Sequence, residues 1–198
     1  MAYIQKKYIF KNSIEIEEYH NGRYGAPGQK RLKKKKPTPE QIARNNQKNR
    51  EIRCRRKLKA NFDVYDYFMT LTYRVSDRPE NMKEAKKHFA EFIRKVMREY
   101  RKRGYELKWI RNIEVGTKNG WHVHLVANRI PDGDIIIQKA WGKGNVSFKG
   151  LYERGDYKDL AAYMTKTPKT DSRLRESSYS TSRNLPIPEP KKKIIRRW

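Results

Sequence analysis

Two histidines and one acidic residue are spaced so that they could hold a divalent metal ion. Residues 107–115 and 121–128 are rich in β-branched and aromatic side chains and flank the turn sequence GTKNG, which predicts a β-hairpin. If Glu114 lies opposite His122, then Glu114, His122 and His124 share one face, because side chains alternate along each strand. Taken alone, His-x-His is equally compatible with two exposed histidines that bind nothing.

The ligand types predict which cations this hairpin would take. Neutral imidazoles and a carboxylate form a mixed nitrogen and oxygen shell, and three protein ligands leave coordination positions for a phosphate oxygen and water. This shell suits Mn²⁺ somewhat better than Mg²⁺, although Mg²⁺ is the more abundant ion in cells. The same register would place a second, apolar set of side chains on the opposite face: Trp109, Ile113, Trp121, Val123, Leu125 and Ala127.

A tyrosine and a lysine occur together on a helix predicted near the carboxyl end. Asp156 is the predicted cap of DYKDLAAYMTKT, and Pro168 ends the helix. Tyr163 lies at the edge of the apolar arc, and Lys166 reaches the same side one turn further on. A phenol, with an ordinary pKa of about 10, needs an anion-stabilising environment to act as a nucleophile. Because the chain has 13 tyrosines, a packing or surface role is the competing interpretation.

The elements that would position these residues predict an α+β fold. Residues 64–74 indicate a strand, 81–103 an amphipathic helix, 134–141 a short helix and 145–151 a strand. With the hairpin and the last helix, this order predicts an antiparallel, ferredoxin-like or RRM-like sheet with helices mainly on one face. Thr70 and Thr72 share one face of the first of these strands.

Three regions are expected. Residues 1–61 form a basic amino-terminal region with a hairpin, a cationic linker and a helix from Thr38 to about Ala60, residues 62–167 form the compact domain, and residues 168–198 form a basic Pro/Ser-rich tail that is mostly irregular. Since the first helix offers few apolar residues, we expect it to be solvated until it docks against DNA or a partner.

Charge indicates a polyanionic partner. Lys and Arg number 48 against 22 acidic residues, giving a formal net charge of +26, and nucleic acid is the first candidate. A membrane is disfavoured because no apolar run approaches the roughly 20 residues of a spanning helix. The single cysteine, Cys54, excludes an internal disulfide and suggests a reducing, cytoplasmic location. A cationic run is expected either to track phosphates or only to aid solubility; it contains Arg31, Lys33, Lys34, Lys35 and Lys36.

Three sequence patterns, in order along residues 62–167, resemble the motifs of HUH-family rolling-circle replication initiators. They are FMTLTY at 68–73, WHVHL at 121–125 and YMTK at 163–166. The resemblance is to the bacterial, plasmid and phage-type proteins. It implies the HUH endonuclease fold and a metal-dependent enzyme that nicks and rejoins single-stranded DNA.

The resemblance also implies a role for each matching residue. His122 and His124 would be metal ligands for Mn²⁺ or Mg²⁺, with Glu114 as the less secure third ligand. Tyr163 would be the nucleophile that forms a 5′-phosphotyrosine and leaves a free 3′-OH, and Lys166 would help to position the phosphate. Thr70 and Thr72 would face the DNA, although ordinary strand threonines explain them equally well.

The implied partners are single-stranded or hairpin DNA at a replication origin and a host helicase, in the cytoplasm of a bacterial host. Since no second tyrosine lies four residues from Tyr163, a second subunit or molecule would close the circle. Two alternatives remain open: a single-tyrosine HUH transposase, and a non-catalytic basic domain that only binds nucleic acid.

Overall fold

Four helices and eight strands make up the described part of the chain. The computed structural model describes residues 2–20, 36–116, 120–151, 157–166 and 179–196. In chain order the elements are β1 (Ala2–Ile9), β2 (Ile14–His20), α1 (Pro39–Asn61), β3 (Tyr67–Thr72), a 3₁₀ turn (Val75–Asp77), α2 (Met82–Lys102), β4 (Trp109–Gly116), β5 (Gly120–Ala127), α3 (Gly133–Trp141), β6 (Val146–Gly150), α4 (Lys158–Thr165), β7 (Tyr179–Thr181) and β8 (Lys191–Arg196).

The central sheet is antiparallel throughout, with the strand order β6-β3-β5-β4-β7. Glu114 pairs with His122 across β4 and β5, so the predicted hairpin register is confirmed. Strand β3 lies on the other side of β5, where Thr70 pairs with His124 and Thr72 with His122. The two threonines therefore lie on the face that carries the histidines.

Two hydrophobic clusters cover the two faces of this sheet. Helices α2 and α3 pack on one face, where Phe92 and Trp141 meet the buried Val123 of β5. Helices α1 and α4 pack on part of the other face, where Leu58 and Met164 surround Ile110 of β4. The α+β class and the antiparallel sheet are thus confirmed. The helices divide between the two faces because the histidine-bearing face also carries apolar side chains at one end.

The sequence interpretation of α1 as a helix without an intramolecular partner is wrong for its carboxyl-terminal half. Cys54 and Leu58 are fully buried against α4 and the sheet, so residues 1–61 share a cluster with residues that follow them. Burial raises the pKa of the Cys54 thiol to about 11, in keeping with an unreactive cysteine. The predicted start is confirmed, since Thr38 and Gln41 form a reciprocal capping box.

Two further expectations need correction. The expected irregular tail contains β7, which pairs with β4, and β8, which pairs with β1. These ladders satisfy backbone groups that an irregular tail would expose to water. The last helix begins with Tyr157 as its cap residue, while Asp156, the predicted cap, lies outside the described residues. None of the described helices is both long enough and apolar enough to cross a bilayer.

A buried ion cluster holds the small sheet β2-β1-β8 against α1. Glu15 of β2 is within 3.0 Å of the charged nitrogens of Arg55, Arg56 and Lys59. The Arg56 guanidinium also stacks 3.7 Å from the ring centre of Tyr8. Burial alone would raise the pKa of Glu15, but hydrogen bonds from Lys59 and Arg56 and the charge of Arg55 outweigh it and lower the pKa. The cluster therefore favours the charged carboxylate.

We expect Glu15→Gln to lower the unfolding free energy at pH 7 by about 3 kcal/mol, because three cations lose one buried anion. The pKa of Glu15 is lower in the folded state than its ordinary value of 4.5. Its contribution is therefore present above pH 4.5 and lost as the pH falls through the folded-state pKa. Urea unfolding of both proteins from pH 7 downward should show a difference that shrinks below pH 4.5.

Glu18→Gln is the matched control, because Glu18 is an exposed carboxylate on the same strand. Equal losses of stability in the two variants would show that the cluster around Glu15 has no special role.

Candidate active site

Glu114, His122 and His124 form a group that could hold a metal ion. One potential ligand atom from each lies within 4.8 Å of the other two. His124 is buried, whereas Glu114 and His122 are partly exposed. The Nε2 atom of His124 is 3.3 Å from a Glu114 carboxylate oxygen. Two imidazoles and a carboxylate at one end of the sheet are a chemically suitable donor set for a divalent cation, and the partial exposure leaves room for a substrate oxygen.

The strands beside the ligands supply hydrogen bonds that orient them. Asn112, which is fully buried, donates from Nδ2 to Oε1 of Glu114 at 3.3 Å. The hydroxyl of Thr70 lies 3.3 Å from Nδ1 of His124. If Nδ1 carries the proton and donates it to Thr70, the Nε2 lone pair is free for a cation. Sequence reasoning missed Asn112, although its place two residues before Glu114 on the same face could have indicated it.

A glycine leaves the space that the His122 ring occupies. A Cβ atom added at Gly116 would lie 2.9 Å from Cε1 and 3.5 Å from Nε2 of this ring. Gly116 pairs with Gly120 at the end of the hairpin, so the ring lies over backbone without a side chain beneath it. Sequence reasoning treated this glycine only as a turn residue, and its proximity to Glu114 was the available signal.

Charges within the cluster shift the pKa values of two ligands. The pKa of Glu114 is lowered, first by a hydrogen bond from His124 and then by the charges of His124, His122 and Lys166, against the effect of burial. The pKa of His122 is lowered by burial and by the charge of His124, against the attraction of Glu114. Both shifts favour the forms that bind metal, a charged carboxylate and a neutral imidazole.

Tyr163 lies beside the metal-binding group. Its hydroxyl oxygen is 2.7 Å from Nε2 of His124, and the tautomer of the histidine decides which atom donates. Its ring meets Phe68 edge-on with centroids 6.2 Å apart, and the side chain is 38% exposed. Burial, followed by the negative charge of Glu114, raises the pKa of Tyr163 to about 12. The phenol is therefore protonated at neutral pH in this arrangement.

The position of Tyr163 follows from the packing of α4. Ala161 and Met164 on the same helix are buried against α1 and the sheet, which leaves Tyr163 at the edge. The end of the helix is fixed by Gln47 of α1, whose amide donates to the backbone oxygen of Thr165 at 3.2 Å. Lys166 follows as an exposed residue whose charge acts on Glu114.

The other predicted site residues divide into three groups. Thr70 lies on the histidine-bearing face and contacts His124. Thr72 lies on the same face, but its hydroxyl donates to the backbone oxygen of Asn145 at 3.2 Å. Lys36 is exposed just before α1. The remaining members of the cationic run lie outside the described residues: Arg31, Lys33, Lys34 and Lys35.

This arrangement is compatible with an HUH-like fold, because an antiparallel sheet carries the His-x-His pair and a helix holds a tyrosine over it. Comparison with known families agrees. A family model for replication-associated proteins of the ORF2 type matches residues 66–168. The chain therefore belongs to this family of replication-associated proteins. No curated protein and no solved structure was found to match the chain.

We expect Thr70→Val to weaken Mn²⁺ binding about 10-fold to 100-fold, because His124 loses the partner that fixes its tautomer and orientation. Titration calorimetry without DNA measures this directly. Thr72→Val is the matched control, since it removes a hydroxyl from the same face of the same strand without touching a ligand. Equal affinities of both variants for Mn²⁺ would contradict the role of Thr70.

We expect Gly116→Ala to weaken Mn²⁺ binding while changing thermal stability little, because the added methyl group displaces the end of a side chain and no backbone atom lies closer than 3.4 Å. The NMR signals of the His122 ring should shift in the same variant. Unchanged affinity with unchanged ring signals would show that the ring does not depend on this glycine.

Proposed function

We propose that this protein initiates rolling-circle replication by nicking single-stranded DNA with Tyr163 and later rejoining it. Membership of a replication-associated family supports the replication role. The observation that carries the nicking chemistry is the 2.7 Å distance between the Tyr163 hydroxyl and His124, within the one group that could hold a metal ion among the described residues.

The proposed reaction is a transesterification at phosphorus. The Tyr163 oxygen attacks the scissile phosphate, an oxygen–phosphorus bond forms, and the bond from phosphorus to the 3′ oxygen breaks. The phenol proton is released and the departing 3′ oxygen takes one up, leaving a 5′-phosphotyrosine and a free 3′-OH. The reverse reaction, with a 3′-OH as the attacking group, rejoins the strand. No net hydrolysis is needed, so the bond energy is conserved.

The residues around the phosphate would have distinct roles. Glu114, His122 and His124 would hold Mn²⁺ or Mg²⁺, which when bound polarises the scissile phosphate and offsets its charge in the transition state. Lys166 would contact the same phosphate. Thr72, whose hydroxyl faces the open part of the sheet, would contact the DNA, whereas the contact of Thr70 with His124 favours a role in orienting that ligand.

The proposed partners follow from the chemistry and the charge. The substrate would be single-stranded or hairpin DNA at a replication origin, and the cationic run that ends at Lys36 would contact its phosphates. On α4, Tyr157 is buried in the cluster below the sheet, so it cannot act as a second nucleophile beside Tyr163. A second copy of the chain would therefore supply the second tyrosine, and a host helicase would unwind the nicked duplex.

We expect the protein to form a covalent adduct with labelled single-stranded origin DNA in the presence of Mn²⁺, visible on a denaturing gel and prevented by EDTA. Tyr163→Phe should abolish the adduct, because the nucleophilic oxygen is removed, while leaving DNA affinity within a few-fold. Tyr105→Phe, a change at an exposed tyrosine outside the site, should leave adduct formation intact.

Two outcomes would contradict the proposal. Binding without any adduct, over a range of oligonucleotides and stem-loops, would favour a non-catalytic nucleic-acid-binding domain. An adduct that survives in Tyr163→Phe would assign the nucleophile to another residue.

A further inference from the structure

Helix α1 has two halves with different environments. From Cys54 onward it is packed into the fold, as described above. Its first residue with a side-chain contact to α4 is Gln47, which reaches both the backbone oxygen and the hydroxyl of Thr165. Every residue from 36 to 46 is exposed. The helix therefore continues for eight residues beyond Gln47, which is about 12 Å at the usual rise per residue.

The composition of this exposed half is unsuited to a protein core. Residues 36–50 contain four cationic residues and one acidic residue, together with five Asn or Gln side chains. Ile42 is the one large apolar side chain there, and it is 45% exposed. A helix with no apolar stripe gains little from packing against another protein surface. Cationic and amide side chains are, however, the usual donors to nucleic-acid phosphates.

The position of this half relative to Tyr163 indicates its partner. Thr165, the last residue of α4, is two residues from Tyr163 and is held by Gln47. Arg44 lies one turn before Gln47 on the same side of α1, and Lys48 lies one turn after Arg44. Both side chains are exposed. They therefore extend from the point where the helix bearing the nucleophile ends.

We propose that the exposed half of α1 is a DNA-contacting arm, in which Arg44 and Lys48 bind phosphates of the single strand that passes Tyr163. The arm lies outside the family match at residues 66–168. The assignment rests on the proposed function, because it takes the strand at Tyr163 as its ligand. It adds a second contact to the substrate, independent of the metal and of the bond to tyrosine.

The test separates binding from chemistry. In a Tyr163→Phe background, affinity for single-stranded oligo(dT) is measured over a range of salt concentrations for Arg44→Glu with Lys48→Glu. Loss of two phosphate contacts should weaken binding at least 10-fold near physiological salt and reduce the salt slope by about 1.4. The pair Arg44→Gln with Lys48→Gln should give an intermediate loss.

The matched control is Lys83→Glu with Lys87→Glu. These lysines are exposed, have the same spacing, and lie on α2, which packs on the opposite face of the sheet. It makes the same change in net charge, so a general effect of charge would appear equally in both pairs. Thermal unfolding verifies that all variants fold.

Equal losses in the two glutamate pairs, or an unchanged salt slope for Arg44→Glu with Lys48→Glu, would overturn the proposal. In protein with Tyr163 intact, the single-turnover rate of adduct formation at saturating DNA should be the same with and without the arm substitutions. Because oligo(dT) binding needs no cleavage, absence of an adduct would count against the nickase proposal while leaving this test readable.

Discussion

The pairing of β4 with β5 places Glu114 opposite His122 and Asn112 opposite His124, and the candidate site depends on that register. A slip of one residue would turn one strand's functional side chains to the opposite face. The register is held because the alternate positions are buried on both sides of the sheet. Ile113 and Val123 are fully buried against α2 and α3, while Ile110 is fully buried against α1 and α4. Two hydrophobic clusters therefore fix the geometry of a polar site.

The same clusters link the family-matched region to the rest of the chain. Met164 packs in the cluster that contains Leu58 of α1 and Leu185 of the carboxyl-terminal segment. Strand β7 extends the central sheet at β4, and its Tyr179 pairs with Asn112. The side chains that hold Tyr163 in place thus come partly from outside residues 66–168. Removing α1 would expose apolar surface on α4 and the sheet, so the helix is a structural part of the site as well as its proposed DNA arm.

Local periodicity predicted the hairpin, its register and the amphipathic α2, because the alternation of two and the spacing of three to four are visible within each segment. The docking of α1 could not be predicted this way, since two buried residues, Cys54 and Leu58, are too few to form a recognisable stripe. Strands β7 and β8 were missed because their partners lie far away in sequence. The contact between Tyr163 and His124 was predicted only as proximity. Its distance depends on how α4 packs, which no local pattern encodes.

The electrostatics of the site connect its acid to its nucleophile. The charge of Glu114 is one of the two causes that raise the pKa of Tyr163 to about 12, after burial. The same carboxylate is kept ionised at neutral pH, because contacts with His124 and the charge of Lys166 lower its own pKa. Protonation of Glu114 therefore cannot relieve the phenol near pH 7. We expect the pKa of Tyr163 to fall only when positive charge compensates Glu114 directly, which makes occupation of the acid and histidine group a precondition for an active phenolate rather than an independent event.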